Sequence, residues 1–128
     1  MSLIVQKYGG TSVGSTDRIK NVAERVAHYR REGHRIVVVV SAMSGETNRP
    51  LGLAKELSAS PDPRELDVIA ATGEQVTIGL LAIALKEMGI PAKSYTGGQV
   101  RVLTDSAYTK ARILEIDEAA MRKDLDAG

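Results

Sequence analysis

The run Leu3-Ile4-Val5, followed by Lys7-Tyr8-Gly9-Gly10-Thr11-Ser12, decides how the rest of the chain is read. An apolar, β-branched run ending in one lysine, two glycines and two hydroxyls predicts a strand that feeds a backbone-rich anion cradle. Adjacent glycines let the main chain approach a ligand closely, because neither carries a Cβ. Successive N–H groups there can form a nest for phosphate oxygens, and a helix starting just beyond adds partial positive charge. Lys7 would stand at the lip as a mobile point charge. An ordinary strand-to-helix turn fits the local pattern equally well. Gly9-Gly10-Thr11-Ser12-Val13-Gly14 matches neither the P-loop pattern nor G-x-G-x-x-G, so no standard nucleotide fingerprint separates the two readings.

Outward from this stretch, Ser15-Thr16-Asp17 supplies N-cap candidates for a helix from about residue 17 to residue 32. Ile19, Val22, Ala23, Val26 and Ala27 repeat at helical spacing, one apolar stripe, and Gly33 is the natural residue past its end. Ile36-Val37-Val38-Val39-Val40 then reads as a parallel strand buried on both faces. Strand, helix, strand within forty residues is a βαβ unit, so the class is α/β. Parallel neighbours end on the same sheet edge. That places the polar loop from Ser41 to Asn48 beside Lys7 to Ser12, at the carboxyl edge where open α/β sheets bind ligands.

Further on, Pro50 is expected at the first position of a short helix through Leu57, and Pro63-Arg64-Glu65-Leu66 opens another running to about Ala71. Thr72-Gly73-Glu74 is expected to interrupt it. A strongly apolar helix follows from about Glu74 to Met88, with Val76, Leu80, Leu81, Ala84, Leu85 and Met88 on one face. Such a helix is buried on several sides or meets another subunit. Glu74 would open it, where the helix dipole favours a negative charge. Pro91 to Tyr95 reads as a third strand ending in Thr96-Gly97-Gly98-Gln99. Short strands over Val100 to Leu103 and Ala111 to Leu114 would flank a polar turn, and a polar helix over Asp117 to Leu125 follows. His28 and His34 read as surface residues without carboxylate or histidine company at metal-ligand spacing.

Composition narrows the function classes. The chain has 128 residues, with 17 Lys+Arg against 16 Asp+Glu and a formal charge of +1, so no basic excess points to nucleic acid. Without cysteine there is no disulfide scaffold and no thiolate metal site, which suits a reducing cytoplasmic setting. The N-terminal residues lack the charged and apolar regions of a signal peptide. The longest apolar block, Ile78 to Leu85, falls far short of the roughly 20 residues that span a bilayer. A soluble intracellular domain with an aliphatic core is the expectation; Phe and Trp are absent.

Three elements have now appeared in order: Lys7-Tyr8-Gly9-Gly10-Thr11-Ser12, Ser41-Ala42-Met43 with Thr47-Asn48, and Thr72-Gly73-Glu74. Together with Thr96-Gly97-Gly98-Gln99 and Thr109-Lys110-Ala111-Arg112-Ile113, they closely resemble the N-terminal part of the aspartokinases, in the amino acid kinase family. The resemblance runs essentially from residue 3 to residue 128. It implies a three-layer, open, mainly parallel sheet with helices on both faces. Residues 1–128 would be the N-terminal, aspartate-binding-side portion, with the nucleotide-binding half and the ACT regulatory domains absent.

The activity implied is transfer of the ATP γ-phosphate, with Mg2+, to the side-chain carboxylate of L-aspartate. That reaction opens lysine, threonine and methionine biosynthesis. By resemblance, Lys7 is the catalytic cation and, with Tyr8, Gly9, Gly10 and Ser41, lines the ATP phosphates. Thr47 and Glu74 bind aspartate, Glu74 taking its α-ammonium. A homo-oligomer is implied for the complete enzyme, with the 128-residue portion inactive by itself. Two other readings stay open: a non-catalytic domain that binds a small anion or assembles with a partner, and a sibling kinase acting on another amino-acid carboxylate. A dinucleotide-binding oxidoreductase is disfavoured by the missing G-x-G-x-x-G.

Overall fold

A computed structural model describes all residues from 1 to 128. The elements in order are strand β1 (Leu3–Tyr8), a 3-10 turn (Gly10–Val13), helix α1 (Thr16–Arg31), strand β2 (Arg35–Val40), helices α2 (Asn48–Leu57), α3 (Pro63–Ala70), α4 (Thr72–Glu87) and α5 (Gly97–Val100), strands β3 (Val102–Thr104) and β4 (Ile113–Ile116), and helix α6 (Ala119–Asp126). The expected βαβ start is present. Strands β1 and β2 pair in parallel, with Lys7 opposite Val39 and Tyr8 opposite Val40. The Ser15 side chain accepts a hydrogen bond from the Arg18 amide at 3.2 Å and caps α1. All five residues of the α1 stripe, Ile19, Val22, Ala23, Val26 and Ala27, are buried. Gly33 and Gly89 take φ of +94° and +76°, the left-handed geometry that ends α1 and α4 on glycine.

The core lies between α1, α4 and one face of the strand pair. Leu81, Leu85, Val13, Val40 and Ile90 join the α1 stripe in it, with Tyr8, Ile36 and Val38 packed against it. Strand alternation sends Val5 and Val39 to the opposite face, where they are 63% and 46% exposed. The expectation that residues 36–40 are buried on both faces is therefore corrected: within these residues only one face of β2 is covered.

Other expectations also shift. Residues 91–95 form no strand; no neighbour is available to pair with them, and the two sheets hold only β1 with β2 and β3 with β4. Asp124 of α6 instead fixes this segment, accepting from the Tyr95 hydroxyl and from Lys93 at 2.9 Å. Pro50 is the third residue of α2, not the first, which its missing N–H tolerates because no amide in the first turn has an intrahelical acceptor. Strands β3 and β4 do form, antiparallel and a residue or two later than expected, and Thr96 to Gln99 closes a capping box at the start of α5. His28 and His34 do share a carboxylate neighbour, since both ring Nε2 atoms lie within 4 Å of Glu32, at 3.4 and 3.8 Å.

The expected interruption falls at Ala71, just before Thr72-Gly73-Glu74, and it is slight. Ala71 keeps right-handed helical angles, φ −71° and ψ −16°, and the Gln75 amide donates to its carbonyl at 3.4 Å, so α3 runs almost without interruption into α4. Residues Pro63–Glu87 thereby make a 25-residue helix with an 18-residue window of mean hydropathy 1.7, long and apolar enough to cross a membrane by those measures. Its inner seam nevertheless packs on α1. Gly73, Thr77, Leu81 and Leu85, each four residues apart, are its buried seam. Of the expected face, Leu81 and Leu85 are in the core, Leu80, Ala84 and Met88 pack against it, and Val76 alone is exposed, at 55%. The buried Thr77 hydroxyl is satisfied by the Gly73 carbonyl at 3.2 Å.

Val76 and Ile83 stand on the outer side of α4, Ile83 being 66% exposed, in addition to Val5 and Val39 on the open sheet face. Exposed apolar surface of this kind drives association. The 128-residue chain is expected to self-associate as its concentration rises, and Ile83→Glu to reduce that association without lowering Tm, as measured by light scattering alongside thermal melts.

Candidate functional site

Three segments meet at one residue. Ala42, in the loop after β2, is buried, and a Cβ placed on Gly10 would sit 2.9 Å from its carbonyl oxygen. A Cβ placed on Gly73 would sit 2.6 Å from the Cβ of Ala42 and 3.5 Å from the carbonyl oxygen of Glu46. Both distances leave no room for a side chain, so the glycines are what let the β1 loop and the first turn of α4 close on Ala42 from two sides. Gly14 adds a further contact, its Cβ position lying 3.7 Å from Ser44 Oγ.

The β1 loop is built tightly. Gly9 precedes the 3-10 turn with extended angles, φ −78° and ψ 173°. The Ser12 amide donates to the Gly9 carbonyl at 3.0 Å, and the Arg18 guanidinium donates to the Thr11 carbonyl at 3.1 Å, tying the turn to α1. The β2 loop leaves the sheet directly after Ser41, whose amide donates to the Tyr8 carbonyl at 3.2 Å. It turns at Gly45, φ +82°, and delivers Thr47 to the start of α2.

The residues named from the sequence are thus placed as follows. Lys7 is exposed on β1, on the same face as Val5 and Val39. Ser41, Thr47 and Glu74 are half-buried on the segments that close on Ala42. No carboxylate lies within 4 Å of the Lys7 ammonium, and no cation within 4 Å of the Glu74 carboxylate, although Glu46 next to Thr47 pairs with Arg49 at 3.3 Å. The hydroxyls of Ser41 and Thr47 make no hydrogen bond within the chain. A cation, an anion and two hydroxyls therefore remain available to a ligand.

Tyr8 stands apart from this group. Its side chain lies on the α1 face of the strand, opposite to Lys7, and its hydroxyl donates to Gln6 Oε1 at 2.8 Å. Burial pushes its phenol above the usual range, against the opposing pull of Arg25. Only its main chain can serve the cradle. Glu74 is in the first turn of α4, as expected, with α3 directly ahead of it and the Gln75 amide donating to the Ala71 carbonyl. What distinguishes Glu74 is the lack of a cation within the chain. The concavities beside Tyr8 and beside Tyr108 contain none of Lys7, Ser41, Thr47 or Glu74. The importance of Ala42 and Gly73 was not read from the sequence, where a small residue in a loop carries no distinguishing signal.

The model of the amino acid kinase family matches residues 2–128. The chain belongs to the amino acid kinase family. Among curated proteins it is similar along its whole length to an aspartate kinase of Stutzerimonas stutzeri, at 65% identity, and to an aspartokinase of Pseudomonas aeruginosa, at 64%. It spans 31% of the length of each. Among solved structures, the aspartate kinase from Synechocystis superposes on 77% of this chain and 17% of its own, with a TM-score of 0.74 and 49% identity. Aspartokinase III of E. coli superposes on 98% of this chain and 37% of its own, with a TM-score of 0.73. At 22% identity that likeness concerns the fold, and the fold is the expected one: mixed α/β, with a parallel sheet and helices.

The closure on Ala42 can be tested by volume. Gly73→Ala overpacks the contact, a cost of about 1–3 kcal/mol that exceeds the ~1 kcal/mol which alanine gains over glycine in a helix. The variant is expected to be less stable by about 1 kcal/mol in urea denaturation, and Gly73→Ala with Ala42→Gly to recover part of that loss. Full additivity of the two single changes would show that they do not touch.

Proposed function

We propose that this chain forms the aspartate-side portion of an aspartokinase, which transfers the ATP γ-phosphate to the side-chain carboxylate of L-aspartate, giving 4-phospho-L-aspartate for lysine, threonine and methionine biosynthesis in the cytoplasm. The observation that carries the reading is the group Lys7, Ser41, Thr47 and Glu74, on segments drawn together around Ala42 and left without partners inside the chain. It is supported by the likeness to aspartokinases over every residue.

In the proposed step, an oxygen of the aspartate side-chain carboxylate attacks the γ-phosphorus. The bond from that phosphorus to the β–γ bridging oxygen breaks, and ADP leaves. The nucleophile is already ionised, so no general base is needed, and catalysis reduces to positioning and charge stabilisation. Two anions must be brought together. Lys7 and the amides of Gly9 and Gly10 offset that repulsion, with Ser41 beside the phosphates. Glu74 receives the α-ammonium of aspartate, and Thr47 hydrogen-bonds it from the opposite loop. No group of three His, Asp or Glu side chains is gathered in the chain, so Mg2+ would arrive with ATP and would supply further positive charge at the phosphates.

A chimera tests this reading, because the chain spans 31% of its relatives. Residues 1–128 replace the matching segment of the Pseudomonas aeruginosa aspartokinase, and aspartate-dependent ADP formation is measured. Activity is expected, with Lys7→Ala lowering kcat about 10²–10³-fold, as for loss of one charge-stabilising donor. Glu74→Gln is expected to raise KM for aspartate about 10–100-fold, the loss of a charged hydrogen bond of ~1.5–3 kcal/mol. A folded chimera with higher kcat/KM for glutamate than for aspartate would favour the sibling kinase. One in which Lys7→Ala leaves kcat unchanged would remove Lys7 from the mechanism.

A further inference from the structure

On the opposite face of β1 from Lys7 lies a concavity of about 320 Å³, lined by Tyr8, Ser12, Arg18, Asn21, Val22 and Arg25. Four of these come from one face of α1, at positions i, i+3, i+4 and i+7. Tyr8 closes the end of the strand, and Ser12 comes from the 3-10 turn. No lining residue is acidic, and neither Arg18 nor Arg25 has a carboxylate within 4 Å, as is also true of Arg30, Arg31 and Arg112 elsewhere in the chain.

We propose that this concavity is a second anion site, one that holds a dianionic phosphate group between Arg18 and Arg25 and is separate from the phosphate being transferred.

The chemistry of the lining supports the choice of ligand. Guanidinium presents paired N–H donors in a fork that matches two phosphate oxygens, and two such groups match a charge of −2. Arg18 spends one N–H on the Thr11 carbonyl, which fixes its position and leaves other donors free. Arg25 lines the concavity beside the Tyr8 phenol, whose own proton is committed to Gln6. The Asn21 amide and the Ser12 hydroxyl supply further donors at the rim. Strand alternation sets the separation: Lys7 and Tyr8 are consecutive, so their side chains leave β1 on opposite faces. An ion held by Arg18 and Arg25 therefore does not compete with one held by Lys7. The Arg18 bond to Thr11 connects the two faces, since Thr11 belongs to the same turn as Gly10.

The test is a titration of the 128-residue chain with inorganic phosphate at constant ionic strength, read by NMR at the Arg18 and Arg25 Nε–H and Asn21 side-chain signals. Saturable shifts at these signals are expected. Arg25→Gln and Arg18→Gln are each expected to weaken phosphate binding about 10–100-fold, the worth of a charged hydrogen bond. Lys7→Ala is expected to leave these shifts unchanged. Both arginines are exposed, and the amide spectrum reports whether either variant has unfolded. Shifts that rise linearly and equally with sodium chloride, or that persist in both arginine variants, or that vanish in Lys7→Ala, would each overturn the proposal.

Discussion

The contact on which the site depends is the double closure on Ala42. Gly10 reaches its carbonyl from the first loop, and Gly73 reaches its methyl group from the helix. Interiors are packed as densely as organic crystals, so a single Cβ inserted at either glycine has to displace backbone. Backbone displacement here moves the cradle of the first loop away from the carboxylate of Glu74. Packing, and not a network of hydrogen bonds, thus sets the spacing between the cationic and anionic poles. The four polar side chains are consequently free, since none is used to hold the loops together.

The strand pair divides the chain into two chemical faces. One carries the apolar core against α1 and α4, ending in Tyr8 and the arginines of α1. The other carries Val5, Val39 and Lys7, all exposed. Period-two alternation alone generates this division. A one-residue slip in β1 would bury Lys7 against α1 and expose Tyr8, so the register against β2 is a functional as well as a structural constraint.

The first forty residues were legible because their signals are local and agree with one another. The α1 stripe, its Ser15 cap and Gly33 all point to the same helix, and every stripe residue is buried. Legibility failed where a partner decides the outcome. Residues 91–95 have strand composition but no neighbour to pair with, and Val39 lies in a β-branched run whose second face is uncovered here. Thr72-Gly73-Glu74 has the composition of a break, yet Gly73 lies inside α4 in contact with Ala42 and the interruption comes just earlier, at Ala71. In the candidate site, Lys7, Gly10, Ser41 and Glu74 were named through the family resemblance, because glycines and polar groups after a strand fit an ordinary turn equally well. Ala42 was not, because close contact between a loop alanine and a distant helix glycine exists only in three dimensions.

The central claim is that the three segments around Ala42 form a single amino-acid site. It is tested most directly by titrating the 128-residue chain with L-aspartate and mapping amide shifts along the sequence. The account predicts saturable changes concentrated at residues 41–47 and at Gly73 and Glu74, all with the same apparent Kd and all weakened together by Glu74→Gln. Changes confined to β3 and β4, or changes at the two segments that saturate at different aspartate concentrations, would contradict it.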